Sequence, residues 1–225
     1  MNILVTAGGT KEAIDNVRAI TNQSTGDLGV LIAKNFLNMG ANVVFVAPKE
    51  VQQKIADYRQ LTRCEVYDTL SVESALQSLL TNESFDAVIH SMAVSDYRVQ
   101  SIQDSQGEVL QSAKLSSNYE QLTIHLERTP KIIQQIKQWQ PTTFLVGFKL
   151  LSNASQEELI EAAVQQEQKA HSDLVIANDM QKVGYHDHLA YCIRGNEVIA
   201  TYHTKQEIAF GLMTEVLTAV SKHDN

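Results

Sequence analysis

The sequence predicts an α/β fold in which a mostly parallel, Rossmann-like sheet carries helices on both faces. Two observations lead to this fold class. Strand-like and helix-like segments alternate along most of the chain, and the first hydrophobic strand runs into a Gly-Gly turn, as strands do in nucleotide-binding folds. The length of 225 residues and the hydrophobic content of 44% suit one domain with a sizeable core. We therefore take residues 1–225 as a single domain.

The first half of the chain contains four predicted strands and two predicted helices. Strands are expected at Asn2–Thr6, Asn42–Ala47, residues 64–67 and residues 86–90, with a helix over residues 71–80 between the last two. After the first strand, apolar residues recur at helical spacing and Gly40 is placed to end that helix. These apolar residues are Leu28, Leu31, Ile32, Phe36 and Met39.

The second half continues the alternation and ends in a hairpin and a helix. A buried strand is expected at Thr143–Phe148, and the next helix begins with the capping-box spacing of Ser155 and Glu158. A strand over residues 172–179 follows. Gly195 and Asn196 then separate two β-rich runs within residues 189–202, which predicts a hairpin. The last predicted helix begins at Thr204-x-x-Glu207.

One segment, Arg98–Glu127, breaks the alternation because it has neither a helical period nor a strand–helix–strand unit. Residues 108–117 and 121–127 have the composition of two extended runs. An insertion of about thirty residues in a compact domain usually serves a function or an interface. We expect this excursion to do one or the other.

The charge and composition exclude several classes of function. A formal net charge of −8 argues against nucleic acid as a partner, and any phosphate site must be made positive locally by backbone N–H groups, a few Lys or Arg and Mg²⁺. No run of about 18 apolar residues predicts a membrane span, and the start of the chain has no signal-peptide pattern, so we expect a cytoplasmic protein. Cys64 and Cys192 are interpreted as buried apolar residues, and His90 and His125 as structural, so no resident metal ligands are predicted.

The loop between Ile3 and Gly29 contains two glycine pairs but neither standard phosphate-binding fingerprint. Gly8 and Gly9 fit either a tight turn or a close approach of the backbone to a phosphate. Ser24, Thr25, Gly26 and Gly29 stand at the entry of the next helix, where N–H groups and the helix dipole can hold an anion. A simple helix N-cap is the alternative.

Two polar residues lie between these glycine pairs. Arg18 and Asn22 are spaced i, i+4 and would share a face if this stretch were helical. Asn22 is a neutral donor just before the anion loop, which suits a carbonyl or an acyl phosphate, whereas an Asp there would repel an anion. Arg18 is open to the ordinary interpretation of a surface arginine.

Ligands of open α/β sheets bind at the carboxyl ends of the strands. Four segments are expected to leave those ends: residues 7–15, 90–97, 148–153 and 177–180. In the second of them, Asp96 could accept a hydroxyl, help to hold a metal, or form an Asx turn. A lysine such as Lys114, in a β-rich excursion, is more often exposed than catalytic.

Six ordered pieces of the sequence resemble phosphopantothenate–cysteine ligase, an enzyme family of coenzyme A biosynthesis. They are LVTAGGTKEAID, VRAITNQSTGDLG, MAVSDY, AKLSS, GFKL and ANDM. The resemblance implies a ligase that joins 4′-phosphopantothenate to L-cysteine through an acyl-nucleotide, with a nucleoside triphosphate and Mg²⁺. It favours the stand-alone bacterial form and CTP over ATP, while the choice of nucleotide stays open.

The resemblance also implies roles for individual residues. Gly8, Gly9, Ser24, Gly26 and Gly29 match positions around the nucleotide phosphates, and Phe148 and Asn178 match positions around the base. Asn22 would stabilise the acyl-nucleotide and Lys114 the developing phosphate charge, so these two are the predicted catalytic residues. Met92, Ala93 and Asp96 would surround the phosphopantothenate, which Arg18 would reach across the interface of a homodimer. Arg98–Glu127 would be the dimerisation arm and active-site flap.

Two rival functions remain at this point. A short-chain NAD(P)-dependent oxidoreductase needs a catalytic Tyr four residues before a Lys, and none of the seven tyrosines has Lys at i+4. A nucleotide-binding regulatory module would need the triphosphate loop but neither Asn22 nor Lys114. Replacing these two residues would distinguish a sensor from a ligase.

Overall fold

The computed structural model describes residues 1–110, 114–183 and 188–223, which form twelve strands and six helices. The strands are β1 (Asn2–Thr6), β2 (Lys11–Ala13), β3 (Ala19–Thr21), β4 (Asn42–Ala47), β5 (Leu61–Glu65), β6 (Ala87–His90), β7 (Tyr97–Asp104), β8 (Leu122–Arg128), β9 (Phe144–Leu151), β10 (Leu174–Val183), β11 (His188–Arg194) and β12 (Glu197–Tyr202). The helices are α1 (Asp27–Asn38), α2 (Lys49–Gln52), α3 (Thr69–Asn82), α4 (Ile133–Trp139), α5 (Gln156–Ala170) and α6 (Lys205–His223).

Eight of the strands form one sheet in the order β12-β11-β10-β9-β6-β1-β4-β5. The six strands from β10 to β5 are parallel, while β11 and β12 are antiparallel. From β1 the chain first adds β4 and β5 on one side and then β6, β9 and β10 on the other. The order therefore reverses between β1 and β6, and in such sheets the crevice at the carboxyl ends of these strands is where ligands bind.

Helices cover both faces of this sheet, as predicted. On β10, Leu174 and Ile176 pack in the core beneath α1 and α6, while Val175 and Ala177 face α5 on the opposite side. A second part of that opposite face packs against α3 and α4. A strand buried on both faces must be apolar at every position, which explains its continuous hydrophobic sequence.

Local signals predict several elements correctly. Strands β1 and β4 have the predicted bounds, and α1 ends next to Gly40, whose φ is +85°. The capping box of α5 is formed: Glu158 N donates to Ser155 Oγ, and Ser155 N donates to Glu158 Oε2. The predicted hairpin is the antiparallel pair β11–β12.

Other predictions were wrong in detail because pairing with neighbouring strands overrides local composition. Strand β5 ends at Glu65, since it pairs with β4 from Leu61 onwards. Strands β9 and β10 pair with each other as far as Leu151 and Asp179, so much of the two predicted loops at 148–153 and 177–180 lies inside strands. The stretch with Arg18 and Asn22 is not helical, because β2 and β3 form a small hairpin there.

The excursion is a two-stranded antiparallel arm, β7–β8. The second extended run, residues 121–127, corresponds to β8, but the first strand of the arm is Tyr97–Asp104 rather than residues 108–117. Of that predicted run, Val109 bridges to Gln103, while Glu108 and Leu110 form backbone hydrogen bonds with β7; residues 111–113 lie outside the described part of the chain.

The residues interpreted as structural fall into two groups. His90 is buried and its Nδ1 lies 3.0 Å from Thr6 Oγ1, and Cys192 is fully buried. Cys64, in contrast, is only half-buried against the core beneath α3, because β5 is the edge strand. His125 is also exposed, with its Nε2 3.1 Å from Gln103 Oε1. Within residues 1–110, 114–183 and 188–223, no helix is long and apolar enough to cross a bilayer.

Candidate active site

The second glycine pair opens α1 without a side-chain cap. Gly26 is the N-cap residue, has a φ of +73° and offers no side chain to the first-turn N–H groups. Thr25 Oγ1 accepts a long hydrogen bond of 3.4 Å from Asp27 N. A helix N-terminus left in this state is suited to an anion, since its N–H groups and dipole both favour negative charge.

The two glycine pairs meet because neither can carry a side chain. A Cβ on Gly26 would lie 2.6 Å from Val51 Cγ1 and 3.0 Å from Gly8 N. A Cβ on Gly9 would lie 2.9 Å from the carbonyl oxygen of Asn22. The glycines therefore permit the loop after β1 and the segment before α1 to touch along their backbones.

Asn22 is held against the loop that follows β6. Its Nδ2 donates to the carbonyl oxygen of Ala93 at 3.2 Å, and its own carbonyl oxygen accepts from Ser24 N at 2.9 Å. Gly8 fixes the same loop, because its carbonyl oxygen accepts from Ala93 N at 2.8 Å. One Nδ2 proton thus orients Asn22, and its second amide proton can point to a ligand.

These segments border a cavity of about 660 Å³ at the carboxyl edge of the sheet. This size suits a ligand as large as a nucleotide. It brings together eight of the predicted site residues from four segments of the chain: Asn22, Ser24, Gly26, Gly29, Met92, Ala93, Phe148 and Asn178. Gly8 and Gly9 are not among the lining residues, but their backbones contact the segments that carry Ala93 and Asn22.

Three predicted residues are not brought to this cavity. Lys114 is exposed and lies on the arm side. The carboxylate of Asp96 pairs with Lys131 Nζ at 2.5 Å, on the surface. Arg18 forms an ion pair with Asp15, which holds the pKa of that carboxyl well below its usual range.

The Asp15–Arg18 pair also forms hydrogen bonds with the arm. Arg18 Nη2 donates to the carbonyl oxygen of Leu115 at 2.9 Å, and Leu115 N donates to Asp15 Oδ2 at 3.1 Å. Both backbone polar groups of Leu115, the residue after Lys114, are thereby fixed to the turn between β2 and β3. The pair links the arm to the cavity's surroundings within one chain.

Ten further residues line the cavity that the sequence analysis did not assign to the site: Gln23, Thr25, Asp27, Leu28, Ser91, Val94, Leu150, Met180, His188 and Lys205. Thr25 had been noted only as part of the helix entry. A signal existed for Lys205, because a lysine in the first turn of a helix opposes the helix dipole and calls for a compensating partner. No local pattern marks His188, which reaches the cavity only through the pairing of β11.

The charges at one end of the cavity centre on Asp27. Lys54 Nζ donates to Asp27 Oδ1 at 2.7 Å and to the carbonyl oxygen of Thr25 at 2.8 Å, and Lys205 Nζ lies 3.9 Å from Asp27 Oδ2. Burial opposes ionisation of Asp27, but the hydrogen bonds from Lys54 and Thr25 and the charges of both lysines lower its pKa. Two ammonium groups and a helix N-terminus thus share one carboxylate.

His188 lies beside this group. It is 8% exposed, and its Nδ1 finds no hydrogen-bond partner among the residues that the structure describes. Burial and the nearby positive charge of Lys205 lower its pKa.

The described residues do not form a metal-binding site made of protein ligands alone. The described ranges contain no group of three or more His, Cys, Asp and Glu side chains that could hold an ion. Asp27 is the single carboxylate in the described lining of the cavity. Asp27 already pairs with Lys54 and lies near Lys205, so the described lining does not by itself supply the donors of a metal site.

Comparison with known proteins identifies the family. The family model for the DNA/pantothenate metabolism flavoprotein (DFP) C-terminal domain matches residues 1–220. The chain belongs to the DFP family. The structure agrees with this: the DNA/pantothenate metabolism flavoprotein from Streptococcus pneumoniae is 35% identical, superposes with a TM-score of 0.90, and the match covers 97% of this chain and 99% of that one.

Curated relatives in the DFP family are longer proteins. The coenzyme A biosynthesis bifunctional protein CoaBC of Thermococcus kodakarensis is 37% identical over 223 residues, and that of Methanocaldococcus jannaschii is 31% identical over 218 residues. Each match covers 95% of this chain and 50% of the relative. The chain therefore spans about half the length of the curated relatives it matches.

Proposed function

We propose that the protein is a phosphopantothenate–cysteine ligase that uses a nucleoside triphosphate. The observation that carries the proposal is the meeting, in one cavity, of an uncapped helix N-terminus and the amide of Asn22. The first suits phosphate groups and the second an acyl oxygen, which are the two charged ends that such a ligase must hold side by side. Membership of the DFP family and the name of the CoaBC relatives support the same reaction.

The reaction needs two steps because a carboxylate is a poor acyl donor. In the first, a carboxylate oxygen of 4′-phosphopantothenate attacks the α-phosphorus of the nucleotide, and pyrophosphate leaves with the electrons of the broken P–O bond. In the second, the amine of cysteine attacks the acyl carbon, loses a proton and releases the nucleoside monophosphate. Both steps depend on positioning and on neutralising charge at oxygen atoms.

Each group of residues has a part in this proposal. Ser24, Gly26 and Gly29 would bind nucleotide phosphates at the N-terminus of α1. Asn22, fixed by Ala93, would donate its remaining amide proton to the acyl oxygen or the phosphate it joins. Met92 and Ala93 would contact the phosphopantothenate. These roles require no movement of β1 or β6, whose ends are tied together by Thr6 and His90.

Phe148 and Asn178 face the cavity from β9 and β10 and would hold the base. We propose CTP as the preferred nucleotide, with ATP second. Mg²⁺ brought in with the nucleotide would supply charge neutralisation at the phosphate oxygens.

Lys114, Asp96 and Arg18 lie outside the cavity lining, and a second chain would give them a role. The arm exposes Tyr97, and β8 exposes Ile124 and Leu126, which makes an apolar surface suited to a homodimer. In that dimer, Lys114 on the arm and Arg18 in the turn that holds the arm would reach the substrate bound to the other subunit. Deleting residues 98–127 should then give an inactive monomer by light scattering, whereas an active monomer would refute the shared site.

Pyrophosphate release tests the proposed reaction directly. The protein is mixed with Mg²⁺ and 4′-phosphopantothenate, with CTP or ATP in parallel, and with or without cysteine. A ligase releases at most about one equivalent per site without cysteine and turns over when cysteine is present. Faster turnover with CTP than with ATP would support the nucleotide proposed. Nucleotide binding without any release, in folded protein, would instead favour a regulatory module.

A further inference from the structure

We propose that His188 and Lys205 form, with the N-terminus of α1, a binding site for a phosphoryl group of a substrate. This inference rests on the proposed function and adds two residues to it, neither of which stands near the glycine loop in sequence. They come from β11 and from the first residue of α6, in the last quarter of the chain.

The first observation is the position of Lys205. Its ammonium group lies 3.9 Å from Asp27 Oδ2, and Asp27 is the first residue of α1. It also stands at the first turn of its own helix, where the helix dipole disfavours a cation. Lys205 therefore lies at the positive end of one helix and beside the positive end of another, and its ion pair with Asp27 is long because Lys54 holds the same carboxylate more closely. An anion between the two helix ends would offset these positive charges.

The second observation is independent of charge. His188 is only 8% exposed and lines the same cavity. Its Nδ1 has no hydrogen-bond partner in the part of the chain that is described. An imidazole nitrogen left unpaired in a buried position costs free energy, and most such atoms in proteins are paired. Nδ1 is closed off from solvent in this structure, so a ligand oxygen or hydroxyl in the cavity would pair with it after the imidazole ring rotates.

These observations together favour a phosphoryl group over a nucleobase or a carboxylate. A phosphoryl group offers several acceptor oxygens at once, which matches the N–H groups of α1, the ammonium of Lys205 and one imidazole N–H. Asp27 would remain paired with Lys54, whose ammonium lies 2.7 Å from the other carboxylate oxygen. Lys205, at the longer distance, is the ammonium that a ligand can take over.

Both phosphorylated substrates of the proposed reaction could supply this group. Binding measurements by calorimetry on the full chain distinguish them, using CTP, cytidine, 4′-phosphopantothenate and pantothenate as separate ligands. The variants are Lys205→Met, which removes the charge and keeps the stem, and His188→Leu, which removes the imidazole nitrogens.

Lys34→Met is the matched control. Lys34 borders a neighbouring cavity of about 350 Å³ that also touches Lys205, but it does not line the main one. The Lys34→Met substitution changes the net charge by the same amount as Lys205→Met. An effect common to both variants would therefore come from the general field of the protein.

We expect Lys205→Met to weaken one phosphorylated ligand by about ten- to a hundredfold, as the loss of a charge-assisted hydrogen bond does. Its dephosphorylated form should bind as to the parent protein. The phosphorylated ligand affected identifies the source: CTP places the nucleotide there, and 4′-phosphopantothenate the other substrate. His188→Leu should weaken the same ligand while leaving the melting temperature equal or higher, since the lost nitrogen had no partner.

Other results would overturn the inference. Equal losses for phosphorylated and dephosphorylated ligands, equal losses in the Lys34→Met control, or unchanged affinities in both site variants would each do so. In these cases the parent protein still binds its substrates, and the proposed function stands. If the folded parent protein binds neither phosphorylated ligand, the proposed function fails and this inference fails with it.

Discussion

Replacing Gly29 by Ala tests how tightly α1 is set against the end of β1. A Cβ at this position would lie 2.5 Å from Ala7 Cβ and 2.7 Å from Ser91 Oγ. Ala7 Cβ cannot rotate away, and Ser91 Oγ is held by its hydrogen bond of 2.7 Å to the carbonyl oxygen of Thr6. The helix itself must therefore move, and with it the N-terminus that we assign to phosphate.

The sign of the change in the free energy of unfolding shows whether the higher helix propensity of Ala or the overpacking of its Cβ is the larger effect. Ala is favoured over Gly inside a helix by about 1 kcal/mol, so without crowding Gly29→Ala would stabilise the protein. Overpacking a core commonly costs about 1–3 kcal/mol, and two contacts below 3 Å argue for the upper end of that range. We expect a net loss of about 2 kcal/mol, or a fall of about 4–8 °C in melting temperature for a chain of this size.

Urea and thermal unfolding followed by circular dichroism measure this change. Gly40→Ala is the control, because Gly40 has a φ of +85° and open space around its Cβ, so that only the backbone cost of about 1–2 kcal/mol applies. In the double variant Ala7→Gly/Gly29→Ala the nearest clash is gone, and the two changes should be clearly non-additive. A Gly29→Ala protein as stable as the parent would refute the reasoning.

Three further predictions concern acid stability and the proposed chemistry. Burial lowers the pKa of His90 from 6.5 to about 4, so the unfolded chain takes up a proton first as the pH falls. The free energy of unfolding should therefore decline between about pH 6.5 and 4, by up to about 3 kcal/mol. In urea unfolding, His90→Gln should flatten this decline. Asn22→Ala should lower ligase turnover about 100-fold by removing a donor, and Asn22→Asp should lower it about tenfold further, because a carboxylate would face both the acyl phosphate and the carbonyl oxygen of Ala93. Arg18→Ala should raise the KM for 4′-phosphopantothenate by about tenfold or more and leave that for the nucleotide nearly unchanged.

Each of these has its own control. If the decline of stability with acid persists unchanged in His90→Gln, other groups cause it. If Asn22→Asp turns over as fast as Asn22→Ala, negative charge at that position does not matter to the reaction. Asp15→Asn keeps the Arg18 charge but removes its ion-pair partner. An equal rise in KM in that variant would mean that Arg18 acts by holding Leu115 rather than by contacting substrate.

The sequence by itself determined the order of most elements and pointed to eight of the residues that line the cavity. Strands buried on both faces are continuous apolar runs, so β1 and β4 could be read with their bounds, and turn residues such as Gly195 and Asn196 fixed the last hairpin. The glycine pairs and Asn22 were recognisable because a helix entry without bulky side chains is a local requirement for anion binding. Local chemistry is what a sequence records most directly.

Tertiary structure alone decided the rest, because it depends on which segments meet. The i, i+4 spacing of Arg18 and Asn22 does not place them on one helix face, because β2 and β3 pair as a hairpin there. The arm begins at Tyr97 because β7 pairs with β8 from that residue onwards. His188 and Lys205 reach the cavity only because β11 adds to the sheet and α6 packs beside α1. Their distance in sequence from the glycine loop leaves no local trace, since a contact between distant residues is a property of the folded chain and not of either segment.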